Sequence, residues 1–193
     1  MRVAIFASGN GSNFEALAQA FADQKIPGEL TLLFCDHPDA YVLQRAQKFN
    51  VKTVSFTVKQ CQTKALYEQK ILALLQQEKI DFIALAGYMR VIGPEILAQY
   101  EGRIVNIHPA YLPEYPGLHS IERAFDDQQQ QTGVTIHYID AGLDSGPIIA
   151  QERIDILKED TLAQLEARVH ACEHRLYPQV LAKILQEIKE KDA

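Results

Sequence analysis

The sequence predicts an α/β protein built on an open, mostly parallel, twisted sheet with helices on both faces, a Rossmann-like arrangement. Three observations carry this expectation. Strand-like and helix-like segments alternate along the chain. Segments such as Phe82-Ile83-Ala84-Leu85-Ala86 are apolar at every position, as strands buried on both faces are. The last two strands have no helix between them, which places an antiparallel excursion near the C-terminal edge.

The elements follow in order. Strands are expected near 2–7, 29–35, 52–55, 81–86, 103–108, 132–140 and 147–155, where β-branched and aliphatic residues cluster between turn residues. Helices are expected near 12–24, 40–49, 62–78, 94–100, 119–129 and 161–188. No repeat, linker or composition break divides the chain, so residues 1–193 are expected to form one domain. The mixed-charge tail from Glu187 to Ala193 is expected to fray into solvent.

One constellation stands out chemically. The strand 103–108 carries Asn106 and His108, which alternate residues of a strand place on one side. Pro109 stops the ladder and a turn-rich loop runs to Gly117. Downstream, Gly142-Leu143-Asp144-Ser145-Gly146-Pro147 offers a carboxylate in a glycine-rich loop. Amide, imidazole and carboxylate together suit acyl transfer to an amine. The amide N–H holds an oxyanion, the imidazole moves protons near neutral pH, and the carboxylate orients the imidazole. No Ser or Cys occupies a nucleophile elbow, so the amine of the substrate is expected to attack directly.

Two further segments point to ligands, and a third carries two histidines one turn apart. Ser8-Gly9-Asn10-Gly11-Ser12-Asn13 joins the first strand to a helix. Its glycines permit a tight turn, Ser12 or Asn13 can cap the helix, and free N–H groups at a helix start attract phosphate. Phe14 stands where a dinucleotide fingerprint needs its third glycine. Gly87-Tyr88-Met89-Arg90-Val91-Ile92 follows the fourth strand, where open sheets bind ligands, and its apolar members suit a flat heterocycle. His170-Ala171-Cys172-Glu173-His174 lies on the last helix. His170 and His174 are one turn apart, but the H-E-x-x-H order and a third ligand are missing, so no metal is expected.

The runs SGNGSN, NIHPAYLPEYPGLHS and GVTIHYIDAGLDSGPI resemble the phosphoribosylglycinamide formyltransferases of purine synthesis, in the right order and over nearly the whole chain. Asn-x-His and the aspartate are shared by the wider formyltransferases, whereas SGNGSN and PGLHS narrow the resemblance. It implies formyl transfer from 10-formyltetrahydrofolate to the amine of glycinamide ribonucleotide, with Asn106, His108 and Asp144 catalytic. It assigns Gly11, Ser12 and Asn13 to the nucleotide phosphate, and His170 and Glu173 to its ribose and glycinamide portion. It assigns Met89, Arg90, Val91 and Ile92, with Asp140, Ala141, Gly142 and Leu143, to the pterin, and Lys64 and Arg90 to positions near the folate, where a cation at 64 could meet the glutamate tail. Ala110 and Tyr111 depart from the pattern, where many relatives carry Ser and Leu. A formyltransferase acting on methionyl-tRNA or a sugar nucleotide, and a non-catalytic nucleotide-binding module, are the rival readings.

Composition narrows the field. A net charge of −6 argues against nucleic acid, because phosphate-backbone binding needs a basic face. No apolar run reaches the roughly 20 residues of a membrane span, and the first strand follows Met1 too closely for a signal peptide. Cys35, Cys61 and Cys172 are odd in number and form no C-x-x-C, which suits a reduced cytoplasm.

Overall fold

A computed structural model describes residues 1–191. The elements are β1 (Arg2–Ala7), α1 (Ser12–Ala22), β2 (Glu29–Cys35), α2 (Val42–Gln47), β3 (Lys52–Ser55), α3 (Lys64–Gln77), β4 (Phe82–Leu85), α4 (Pro94–Gln99), β5 (Ile104–His108), α5 (Ser120–Asp126), β6 (Gln131–Tyr138), β7 (Ile148–Asp155) and α6 (Leu162–Lys191). Their seven strands form one sheet in the order β3-β2-β1-β4-β5-β6-β7. The first five pair in parallel, and β6 and β7 add antiparallel at the edge, as the missing helix between them requires.

Strand alternation divides the core in two. Val3, Ile5 and Ala7 of β1 pack with Phe14 and Leu17 of α1 and with Leu165, Val169 and Leu181 of α6. Ala4 and Phe6 face the other way, onto Tyr67, Ile71 and Leu75 of α3 and Ile96 of α4. On that second face Phe6, Phe34, Phe56 and Tyr67 form a chain of tilted and edge-to-face rings, with centroids 5.0, 4.8 and 5.5 Å apart in turn. Each such pair contributes about 0.5–1.5 kcal/mol beyond its buried area. Phe6 also meets Tyr88 edge-on at 5.3 Å, which anchors the loop after β4. Tyr177 of α6 is fully buried, and its hydroxyl donates to the Leu85 carbonyl at 2.9 Å, pinning α6 against the end of β4.

The strand order reverses at β1, whose neighbours β2 and β4 lead their chains to opposite sides. The loops after β1 and β4 therefore part, and a crevice opens above the carboxyl ends of the strands. Between β6 and β7 the register shifts: Ile136 faces Ala150 but His137 faces Ile148, so the extra residue lies in β7. The C-terminal segment differs from expectation, because α6 remains helical through Lys191. Val180, Leu181, Ile184 and Leu185 pack on the core and carry the helix past the point where charge alone suggested fraying. Asp192 and Ala193 lie outside the described residues.

Candidate active site

A cleft of about 660 Å³ occupies that crevice. Its floor and walls come from five loops, those after β1, β2, β4, β5 and β6, from the start of α5 and from one face of α6.

The loop after β1 brings backbone. Gly11 sits at the N-cap of α1 in the left-handed region (φ 78°), and no side chain caps the helix. Ser12 and Asn13 thus differ from the capping role their side chains suggested: the helix begins at Ser12 itself, one position earlier than a cap at Ser12 requires and two earlier than a cap at Asn13 requires. The first-turn N–H groups remain available to an anion. A Cβ on Gly11 would run into Val42 of α2, so the position demands glycine twice over, for its φ and for space. The turn is braced from behind. Arg45 Nε donates to the Asn10 carbonyl at 2.9 Å and its Nη2 to Asn10 Oδ1 at 2.9 Å, while its third nitrogen pairs with Glu15. Glu173 of α6 is buried beside the cleft and accepts from His170 Nδ1 at 2.8 Å. That bond raises the pKa of His170 above the ordinary imidazole value, with burial opposing it.

At the other end, side chains dominate. Asn106 and His108 both reach the cleft from β5, as alternation expected. His108 Nε2 donates to the Tyr115 carbonyl at 2.8 Å, and its Nδ1 lies 3.5 Å from Asp144 Oδ2. Both ring nitrogens thus face oxygen atoms that can accept. Asp144 Oδ2 also accepts from the Gly117 N–H at 2.8 Å. Its backbone is left-handed (φ 50°), a conformation that Asp tolerates better than most residues and that aims the carboxylate back at the histidine. The loop holding it is fixed by Asp140, whose Oδ1 accepts from Gly142 N at 2.9 Å and from Ser145 Oγ at 2.8 Å.

His137 completes this end. It pairs across the ladder with Asn106 and is fully buried. Its Nδ1 donates to the Tyr138 carbonyl at 2.9 Å, leaving Nε2 to accept from Asn106 Nδ2 at 3.3 Å. Asp144 Oδ1 lies 3.7 Å from Nε2 and favours a charged ring, but burial outweighs it and lowers the pKa. A neutral His137 therefore sets which way the Asn106 amide points. No local pattern could have found it, since it takes the β5–β6 register to place the two side by side.

The departures at Ala110 and Tyr111 have a structural setting. The Ala110 carbonyl accepts from Thr135 Oγ1 at 2.7 Å, and Arg153 lies over the Tyr111 ring at 3.8 Å. Both hold the start of the loop that follows His108.

Residues 1–181 match the formyl transferase family. The chain belongs to the formyl transferase family. This transferase is 44% identical to the phosphoribosylglycinamide formyltransferase of Bacillus subtilis (strain 168), over 95% of the chain and 94% of that relative. Among solved structures, a phosphoribosylglycinamide formyltransferase from Bacillus halodurans is 49% identical with a TM-score of 0.93, covering 96% of this chain and 95% of the other. A glycinamide ribonucleotide transformylase 1 from Geobacillus kaustophilus is 47% identical with a TM-score of 0.93, covering 95% and 98%.

Most residues singled out from sequence line the cleft of the transferase: Gly11, Ser12, Asn13, Met89, Arg90, Val91, Ile92, Asn106, His108, Asp140, Gly142, Leu143, Asp144, His170 and Glu173. Lys64 and Ala141 do not. Thr63 caps α3 by accepting from Leu66 N at 3.1 Å, and Lys64 then projects from the first turn toward Glu68, 3.6 Å away. His37 and His119 also border the cleft. Among the described residues no helix is long and apolar enough to cross a membrane.

Proposed function

We propose that this transferase moves a formyl group from 10-formyltetrahydrofolate to the amine of glycinamide ribonucleotide. The observation that carries the reading is the polarity of the cleft. An uncapped helix start suited to phosphate lies at one end, and Asn106, His108 and Asp144 lie at the other. The names and close likeness of the relatives support the same substrates.

In this reading the phosphate of the nucleotide takes the N–H groups of Gly11, Ser12 and Asn13. His170 and Glu173 bind the ribose and glycinamide portion, and the pterin lies between residues 89–92 and 140–143. The amine attacks the formyl carbon and a tetrahedral oxyanion forms. The second N–H of Asn106 Nδ2, the one not given to His137, binds the oxyanion. The formyl oxygen displaces the Tyr115 carbonyl from His108 Nε2–H, which adds a charged donor. His108 then passes that proton to N10 of the folate as the C–N10 bond breaks, and regains one from the former amine. Asp144 holds Nδ1 and stabilises the charged ring. With side-chain exposures of 7% for His108 and 10% for Asp144, the pair is shielded from water, which strengthens each interaction.

The enzyme acts as one domain on two small-molecule substrates, in the cytoplasm and without metal, nucleic acid or membrane. A turnover assay with both substrates, followed by folate absorbance, tests this. Release of tetrahydrofolate that depends on glycinamide ribonucleotide is expected, and no release with authentic substrates removes the reading.

A further inference from the structure

Asp36 is a fully buried carboxylate that plays no part in the chemistry above. It follows β2 and lies behind the cleft, between the loops after β1 and β4. Its Oδ2 accepts from Arg90 Nε at 2.5 Å, and its Oδ1 lies 3.0 Å from His37 Nδ1. The Ser8 hydroxyl donates to it as well, and Ser8 Oγ accepts from the Met89 N–H at 2.9 Å. Burial raises a carboxyl pKa, yet these three donors outweigh it and hold Asp36 below the usual range. Burying a charge is costly unless every oxygen is paired, so an ionised residue here calls for a role.

Arg90 supplies that role. Its side chain is 38% exposed and lines the cleft, with the guanidinium lying 5.9 Å over the Tyr67 ring. Tyr67 is itself tied to Tyr88 by a 2.7 Å bond between their hydroxyls. The Nε edge of the fork is committed backwards to Asp36. Among the described residues no acceptor takes its two terminal nitrogens. A guanidinium clamped at Nε and supported by an aromatic ring presents those nitrogens as a prearranged carboxylate receptor.

We propose that Asp36 is a positioning residue: it holds Arg90 so that the terminal N–H groups meet a carboxylate on the tail of the folate donor. The proposal rests on the function stated above. It also accounts for Lys64, which is drawn toward Glu68 outside the cleft and leaves tail recognition to Arg90.

The test compares 10-formyltetrahydrofolate with the same donor truncated to its p-aminobenzamide, which has neither glutamate nor a free carboxylate. Wild type should have a KM about tenfold lower for the donor that carries glutamate, the worth of one charged hydrogen-bonded pair. Asp36→Asn keeps the shape and removes the charge. It should erase that preference through KM for the full donor, with kcat and the nucleotide KM moving less than twofold. Arg90→Gln should erase it too, and Asp36→Asn added to Arg90→Gln should change nothing further. Equal KM rises for both donors, or a matching rise for the nucleotide, would mean general loosening and overturn the proposal. If thermal denaturation shows Asp36→Asn unfolded, Arg90→Gln decides: a preference that survives it overturns the proposal. Wild type that turns over neither donor removes the functional reading together with the proposal, whereas turnover without preference removes the proposal alone.

Discussion

The two ends of the cleft recognise their ligands by different means. The parallel half of the sheet offers backbone: a left-handed glycine, an uncapped helix start and a brace from Arg45 on the Asn10 carbonyl. The antiparallel half offers side chains: Asn106, His108, His137 and Asp144 in mutual contact. Short of proline, substitution can only displace backbone groups, while side chains can be removed one atom at a time. The first end should therefore fail in binding and the second in rate.

The largest expected effect is at Asn106. Asn106→Ala deletes a donor used mainly in the transition state, so kcat should fall about 10²–10³-fold with KM nearly kept. Steady-state kinetics decide it, and a raised KM with intact kcat would place Asn106 among the binding groups instead. Next is Gly11→Val, which meets both an unfavourable φ and the Val42 side chain. Nucleotide affinity measured by calorimetry should weaken at least tenfold, about 1.4 kcal/mol, while folate affinity holds. Equal losses for both ligands would erase the contrast between the two ends.

His137 sharpens the comparison, since it acts only through Asn106. His137→Phe removes one neutral hydrogen bond of about 0.5–1.5 kcal/mol, so kcat should drop about three- to tenfold. In an Asn106→Ala background the same change should add little, and multiplicative losses would show that the two act separately.

The smallest effect is one of pH. His170 gains a partner in Glu173, so its folded pKa lies above 6.5. The stability it contributes is complete below the unfolded value near 6.5 and is lost as pH rises through the folded value. His137 runs the other way, its folded pKa being depressed by burial. Its contribution is complete above about 6.5 and fades as pH falls through the folded value. Melting temperatures of His170→Asn and wild type should converge as pH rises above 6.5. A gap that persists unchanged across that window would mean the ion pair does not titrate there.

How much of this was legible in the sequence depends on distance along the chain. Buried parallel strands announce themselves as unbroken apolar runs, so β1, β2 and β4 could be read locally. Asn106 and His108 were legible because strand alternation alone puts them on one side, and Asp144 because an acidic residue among glycines is conspicuous. Asp36 was not, because a single aspartate in Cys35-Asp36-His37-Pro38-Asp39 looks like any loop carboxylate until Arg90 arrives from a different strand. The capping reading of Ser12 and Asn13 failed because it assigned a polar side chain to a task that Gly11 leaves undone.

The register shift between β6 and β7 bears on which changes of length the enzyme tolerates. The β5–β6 ladder is continuous, with Asn106 opposite His137 and His108 opposite Thr135. Deleting one residue inside β6 would turn His137 to the far side of the sheet and bring an aliphatic or tyrosyl neighbour against the Asn106 amide. On its outer edge the same strand already lives with a mismatch, because Ile149 is the residue passed over in β7. Insertions and deletions beyond β7 can be absorbed there, much as slack is taken up at a seam. Lineages and library designs that vary chain length should accordingly find freedom at that outer strand and almost none between His108 and Tyr138.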